Sequence, residues 1–143
     1  MIDINDEVHN FFLGKRLGKG IHREVFAFPL KEGYVIKIAN DSESRAVNLI
    51  EARIWNQLNE TPAQKWFAPV VDVSESGAYL IQRRAEQLPK EKYPKKIPHF
   101  FTDTKYSNFG WIKGIGFVCV DFGSFNMFRG ITTKMVKAEW WGD

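Results

Sequence analysis

Residues 34–58, YVIKIANDSESRAVNLIEARIWNQL, decide the fold. The first six, YVIKIA, form a β-rich run broken by one lysine, Lys37. From Asp41 the period changes. Asp41 or Ser42 can cap a helix that runs to about Leu58, and Pro62 follows as a stop. Val47, Ile50, Ile54, Trp55 and Leu58 recur three and four residues apart, which predicts one apolar helix face. Glu51 falls inside that stripe, so its carboxylate must be desolvated unless a cation meets it. Lys37 lies among Val35, Ile36 and Ile38. Its plain alternative is a lysine on the solvent side of an amphipathic strand. The demand of Glu51 for a cation favours the other reading, a buried Lys37–Glu51 pair that ties strand to helix.

Outward from this unit the pattern is mostly strand. Upstream, FFLGKRLGKG (11–20) runs into a glycine pair, Gly18 and Gly20, and EVFAFPL (24–30) alternates until Pro29 weakens it. KEG (31–33) then reads as a hairpin turn, so three antiparallel strands precede the helix. Downstream, FAPVVDV (67–73) and AYLIQ (78–82) are two more strands joined by the turn SESG (74–77). Residues 83–98 carry six Lys and Arg and three prolines and read as a solvated loop. HFFTDTKYSNFGW (99–111), a turn at Lys113–Gly114 and the strand GFVCVDFG (116–123) follow, and the last twenty residues show no clean period.

Composition narrows the class. At 143 residues, 44% hydrophobic and 26% charged, the chain suits one globular domain and neither a disordered tail nor a collagenous repeat. No apolar run approaches the roughly 20 residues of a bilayer span, and the acidic start MIDINDEVHN is unlike a signal peptide. The single Cys119 excludes a disulfide framework and a cysteine-built zinc site; a small core residue is the favoured reading, in a reducing, cytoplasmic compartment. A net charge of +3 is weak support for nucleic acid, and the basic run at 90–96 reads better as a solvated loop. His9, His22 and His99 lack ligand spacing. Aromatic residues reach 15%, enough to fill a dense core or to cover a surface that meets a partner.

The order of these pieces resembles the protein-kinase family from about Leu13 to Gly123. LGKGIHREVF is similar to the glycine-rich loop G-x-G-x-x-G-x-V, with Gly18, Gly20 and Val25 in register and Arg23 at the third glycine position. YVIK resembles the V-A-I-K strand, and Glu51 in EARIWNQL resembles the helix glutamate that pairs with its lysine. Asp103 to Asn108 keeps the D-x-x-x-x-N spacing of the catalytic loop, and Asp121-Phe122-Gly123 is a full D-F-G. Glycine pairs and single tripeptides are weak signals; five elements in one order are a strong one. The resemblance implies an α+β, protein-kinase-like fold: a five-stranded antiparallel sheet with one main helix, and a much reduced carboxy-terminal lobe. It divides the single domain at residues 1–82 and 83–143.

It also implies roles. Lys37 and Glu51 would form the catalytic ion pair, and Gly18, Gly20, Val25, Val35, Lys37, Gln82 and Arg84 would hold ATP. Asp103 would orient or accept the proton of the attacking hydroxyl, and Lys105 would stabilise charge on the transferring group. Asn108 and Asp121 would bind Mg²⁺. Turn chemistry alone accounts equally for Asp103, Asn108 and Asp121 if each is taken singly.

The departures matter too. Phe101-Thr102-Asp103 replaces His-Arg-Asp, and Arg23 stiffens the phosphate loop. Only about twenty residues separate Gln82 from Asp103, and twenty follow Gly123, so against the resemblance the expectation is a large lobe stripped to a remnant. The expected activity is that of a minimal serine/threonine protein kinase; the alternative is a weak or inactive kinase-like module that regulates a partner. The NFG after Asp103 is similar to small-molecule kinases of the aminoglycoside type, which rank lower because their substrate site lies in the missing lobe. Bacteriophages and bacterial effectors carry truncated kinases of this sort, for which the compartment would be the host cytoplasm. Phe100, Phe101, Phe109, Trp111, Phe125, Phe128, Trp140 and Trp141 either pack locally or meet another chain. Residues 99–143 are therefore the expected contact with a protein substrate, a regulatory partner or a second copy.

Overall fold

The computed structural model describes residues 11–123, 125, 132 and 134–142. His9 and Phe128 lie outside them. The chain divides into two compact units: residues up to Ala52 with Pro69–Arg84, and Arg53–Ala68 with the residues from Ala85 onward.

The first unit is built on a five-stranded antiparallel sheet of order β1-β2-β3-β5-β4. Its strands are β1 (Arg16–Lys19), β2 (Arg23–Ala27), β3 (Tyr34–Ala39), β4 (Val70–Val73) and β5 (Tyr79–Arg83). With the helix α1 (Arg45–Gln57) this is the α+β architecture expected from the sequence. YVIKIA forms β3 with the bounds read from its composition. In α1, Asp41 accepts a hydrogen bond from the Ser44 amide at 2.7 Å ahead of the first turn. Backbone and hydroxyl hydrogen bonds from Ser44 hold the Asp41 carboxyl below its usual value.

The buried face of α1 differs from the predicted stripe. Ile50 is 38% exposed, whereas Asn48 and Glu51 are fully buried with Ala52 and Ile54. The helix is turned so that polar groups, not Ile50, face inward, because cations and carbonyls of the same unit meet them there. Gly77, at φ +80°, closes the β4–β5 turn. A Cβ there would come within 2.4 Å of the Arg45 carbonyl oxygen. Only glycine lets that turn lie so close to the start of α1.

The second unit holds two small antiparallel pairs. One joins β6 (Lys96–Pro98) to β9 (Met135–Lys137), the other β7 (Phe109–Ile112) to β8 (Gly116–Cys119). The basic stretch at 83–98 is thus more than a solvated loop: it contributes β6 and buries Tyr93 and Ile97. Phe67 is the hub of the core. Its ring lies 5.1–5.9 Å from those of Phe100, Phe101, Phe122 and Phe125. A second ring cluster gathers Tyr93, Tyr106, Phe109 and Phe117 around Trp140. Local packing therefore takes up five of the eight late aromatics, Phe100, Phe101, Phe109, Phe125 and Trp140, while Trp111 and Trp141 stay exposed. Burying rings of this size against one another supplies much of the apolar area of this unit. Among the described residues no helix is long and apolar enough to cross a membrane.

Candidate functional site

In the first unit, strand register assembles one patch. Gly18 stands opposite Val25, Val25 opposite Lys37 and Lys37 opposite Leu80. One row along, Ala27 faces Val35 and Val35 faces Gln82. Residues paired across strands, or two apart along one, share a sheet face. Gly18, Val25, Val35, Lys37 and Gln82 thus lie on one face. Gly20 lies just past β1, where its amide donates to the Arg23 carbonyl at 2.8 Å. Arg84 lies just beyond β5, its amide bonded to the Gly33 carbonyl at 2.8 Å, with an exposed side chain.

Folding does not explain the glycine pair. A Cβ on Gly18 would meet nothing within 4 Å, and one on Gly20 only the Arg23 carbonyl oxygen at 3.7 Å. Neither has a positive φ. A bare backbone at these positions leaves space for a group from outside the chain, such as a phosphate.

The Lys37–Glu51 pair is formed. Lys37 Nζ lies 2.6 Å from Glu51 Oε1, and the two side chains are 5% and 0% exposed. The sequence reading missed the rest of the network. Arg23 is buried, and its guanidinium grips Glu51 with both arms, Nη1 to Oε1 at 3.1 Å and Nη2 to Oε2 at 3.0 Å. Its Nη1 also donates to Asn48 Oδ1 at 3.0 Å. Asn48 in turn donates to the carbonyls of Gly77 at 2.9 Å and Lys37 at 3.3 Å. Arg23 therefore does more than fill a glycine position. It is a second cation on the helix carboxylate. The available signal was Asn48, three residues before Glu51 and on its helix face.

Burial pushes the Glu51 carboxyl up, but the charges of Lys37 and Arg23 and the hydrogen bonds from both outweigh it. The group is held at about 2, well under its ordinary 4.5.

In the second unit, β7 and β8 set the other polar residues. Asn108 directly precedes β7 and Asp121 follows β8 by two residues. Phe109 is paired with Cys119, and the Val120 amide donates to the Asn108 carbonyl at 2.8 Å. Asn108 and Asp121 thus stand at the same end of the hairpin. Two oxygen-bearing side chains there suit a hard cation such as Mg²⁺, which takes one or two protein ligands beside substrate oxygens. Among the described residues, no three His, Cys, Asp or Glu side chains cluster as a metal site. Asp103 is exposed, and its Oδ1 lies 3.4 Å from the Lys105 amide. Lys105 is exposed, with Nζ 5.5 Å from the centre of the Trp141 ring. Cys119 is buried, its thiol 3.3 Å from the Asp121 carbonyl oxygen, in keeping with a core role.

No family model matches the chain. No curated protein matches it either. Among solved structures, it is similar to APH(2")-IIa in a ternary complex with streptomycin and ATP. The identity is 18% and the TM-score 0.47, over 72% of this chain and 35% of that one. The chain thus spans about a third of the length of that structure.

Proposed function

We propose that this chain carries a protein-kinase-like phosphotransferase activity, taking the γ-phosphoryl group of ATP to a serine or threonine hydroxyl of a protein. The observation that carries this reading is the buried 2.6 Å contact of Lys37 with Glu51, in line with Gly18 and Val25 across the sheet. Phosphoryl transfer needs charge held in place more than covalent chemistry from the protein. Lys37, fixed by Glu51, would sit on phosphate oxygens, and the backbone at Gly18 and Gly20 would let them approach with no Cβ in the way. Val25, Val35 and Gln82 would line the nucleotide. Asn108 and Asp121 would hold Mg²⁺, which when bound supplies neutralising charge to the phosphate oxygens. The acceptor oxygen forms a bond to the γ-phosphorus, the bond to the β–γ bridging oxygen breaks, and ADP leaves. The hydroxyl proton passes to Asp103, and Lys105 steadies the charge on the group in flight.

The test is a calorimetric titration of ATP with and without Mg²⁺, followed by an acceptor panel of serine/threonine proteins and aminoglycosides. Metal-dependent ATP binding with transfer to protein hydroxyls is the expected result. Binding without transfer would leave a nucleotide-binding regulatory module. No binding at all would end the reading.

A further inference from the structure

The Asp103 loop runs into one short 3-10 turn, Tyr106–Asn108, and Thr104, Lys105 and Tyr106 are laced to one other segment of the same unit, residues 138–142. The Trp141 amide donates to the Thr104 carbonyl at 3.2 Å, and the Tyr106 amide donates to the Trp141 carbonyl at 2.9 Å. Together these make a parallel bridge between Lys105 and Trp141. The Thr104 hydroxyl donates to the Glu139 carbonyl. Above the bridge the Trp141 ring lies against Lys105, and Lys90 Nζ reaches the Gly142 carbonyl at 3.3 Å.

The segment is itself anchored. Ala138 donates to the Lys95 carbonyl at 2.9 Å, next to the pairing of β9 with β6. Trp140 sinks its ring among Tyr93, Phe109 and Phe117 and donates from Nε1 to the Pro94 carbonyl at 2.8 Å. Exposed loops with few buried contacts open at almost no cost in free energy. Here three hydrogen bonds tie the loop to a segment fixed in the core, so Asp103 and Lys105 sit on a supported backbone.

We propose that residues 138–142 form a strap that positions the Asp103–Lys105 loop for phosphoryl transfer, with the Trp141 backbone as the clasp. This rests on the phosphotransferase reading above. The strap touches the acceptor side of the chemistry and none of the residues assigned to the nucleotide. Loosening it therefore lowers kcat and spares ATP affinity.

Two full-length variants separate clasp from ring. Trp141→Ala keeps the backbone N–H and removes the indole; Trp141→Pro removes both. Trp141 is exposed, so neither change opens the core. The readouts are kcat, the Kd for MgATP, and hydrogen exchange of the Tyr106 amide. Trp141→Pro is expected to lower kcat by roughly 10²-fold, the cost of a small misplacement of reacting groups. Its Kd should stay within about twofold of wild type, and Tyr106 exchange should quicken; Trp141→Ala should fall between it and wild type. A Trp141→Pro protein with wild-type kcat, or one that loses Kd and kcat together, overturns the strap. If wild type transfers no phosphate, the phosphotransferase reading fails, and Tyr106 exchange still decides whether the clasp holds the loop. Unchanged Tyr106 protection in Trp141→Pro would show that it does not.

Discussion

Replacing Glu51 by Gln keeps the shape of the protonated acid and removes the charge that Lys37 and Arg23 surround. Its cost follows from the shift of the carboxyl. Lowering it from 4.5 to about 2 corresponds to about 3 kcal/mol of preference for the ionised form in the folded state. That agrees with the roughly 3–5 kcal/mol lost when one side of a buried ion pair is removed. Because the folded value lies below the unfolded one, the contribution is complete above pH 4.5 and is lost as pH falls through 4.5 toward about 2. Native-state hydrogen exchange of the β2 and β3 amides reads the opening free energy of this unit directly. At pH 7, Glu51→Gln should reduce their protection by roughly 10²-fold. The gap between variant and wild type should narrow steadily below pH 4.5. Equal protection at pH 7, or a loss that stays constant down to pH 2, would refute the argument.

Three further outcomes are expected. Arg23→Met removes three hydrogen bonds to Glu51 and Asn48 but leaves Lys37 on the carboxylate, so it should cost about 2 kcal/mol and raise the Glu51 carboxyl toward 4.5, read by carbon NMR titration. Gly18→Ala adds a methyl group to open space and should leave the melting temperature unchanged while weakening MgATP binding severalfold in calorimetry. Phe67→Ala empties the hub of four ring contacts and should cost about 3–5 kcal/mol, seen as a lower urea midpoint in tryptophan fluorescence.

Short-range patterns carried much of the architecture into view. β3 follows from its own composition and α1 from its period and its capping aspartate. A carboxylate in an apolar stripe announced the need for a cation, and Lys37 answers it. Long-range pairings left no comparable trace. β6 and β9 are three residues each and lie far apart in the chain, too short for periodicity to register. Arg23 was legible only as a missing glycine, because nothing local says that its guanidinium reaches a helix 28 residues on. The rotation of α1 was hidden for the same reason. Apolar spacing alone favours Ile50 inward, and only the hydrogen bonds of Asn48 to two backbone carbonyls and to Arg23 turn that residue in instead. The Asp103–Asn108 spacing was readable as a motif, but the attachment of its loop to Trp141 depends on a segment with no regular period.

The most direct measurement of the central claim is phosphate transfer from γ-labelled ATP in the presence of Mg²⁺, comparing wild type with Asp103→Asn at equal concentration. The asparagine keeps the size of the side chain but accepts no proton. The account predicts label on serine or threonine of the protein acceptor with wild type, none without Mg²⁺, and a loss of roughly 10²–10⁴-fold with Asp103→Asn. Equal transfer by both proteins, or no transfer by wild type, would contradict it.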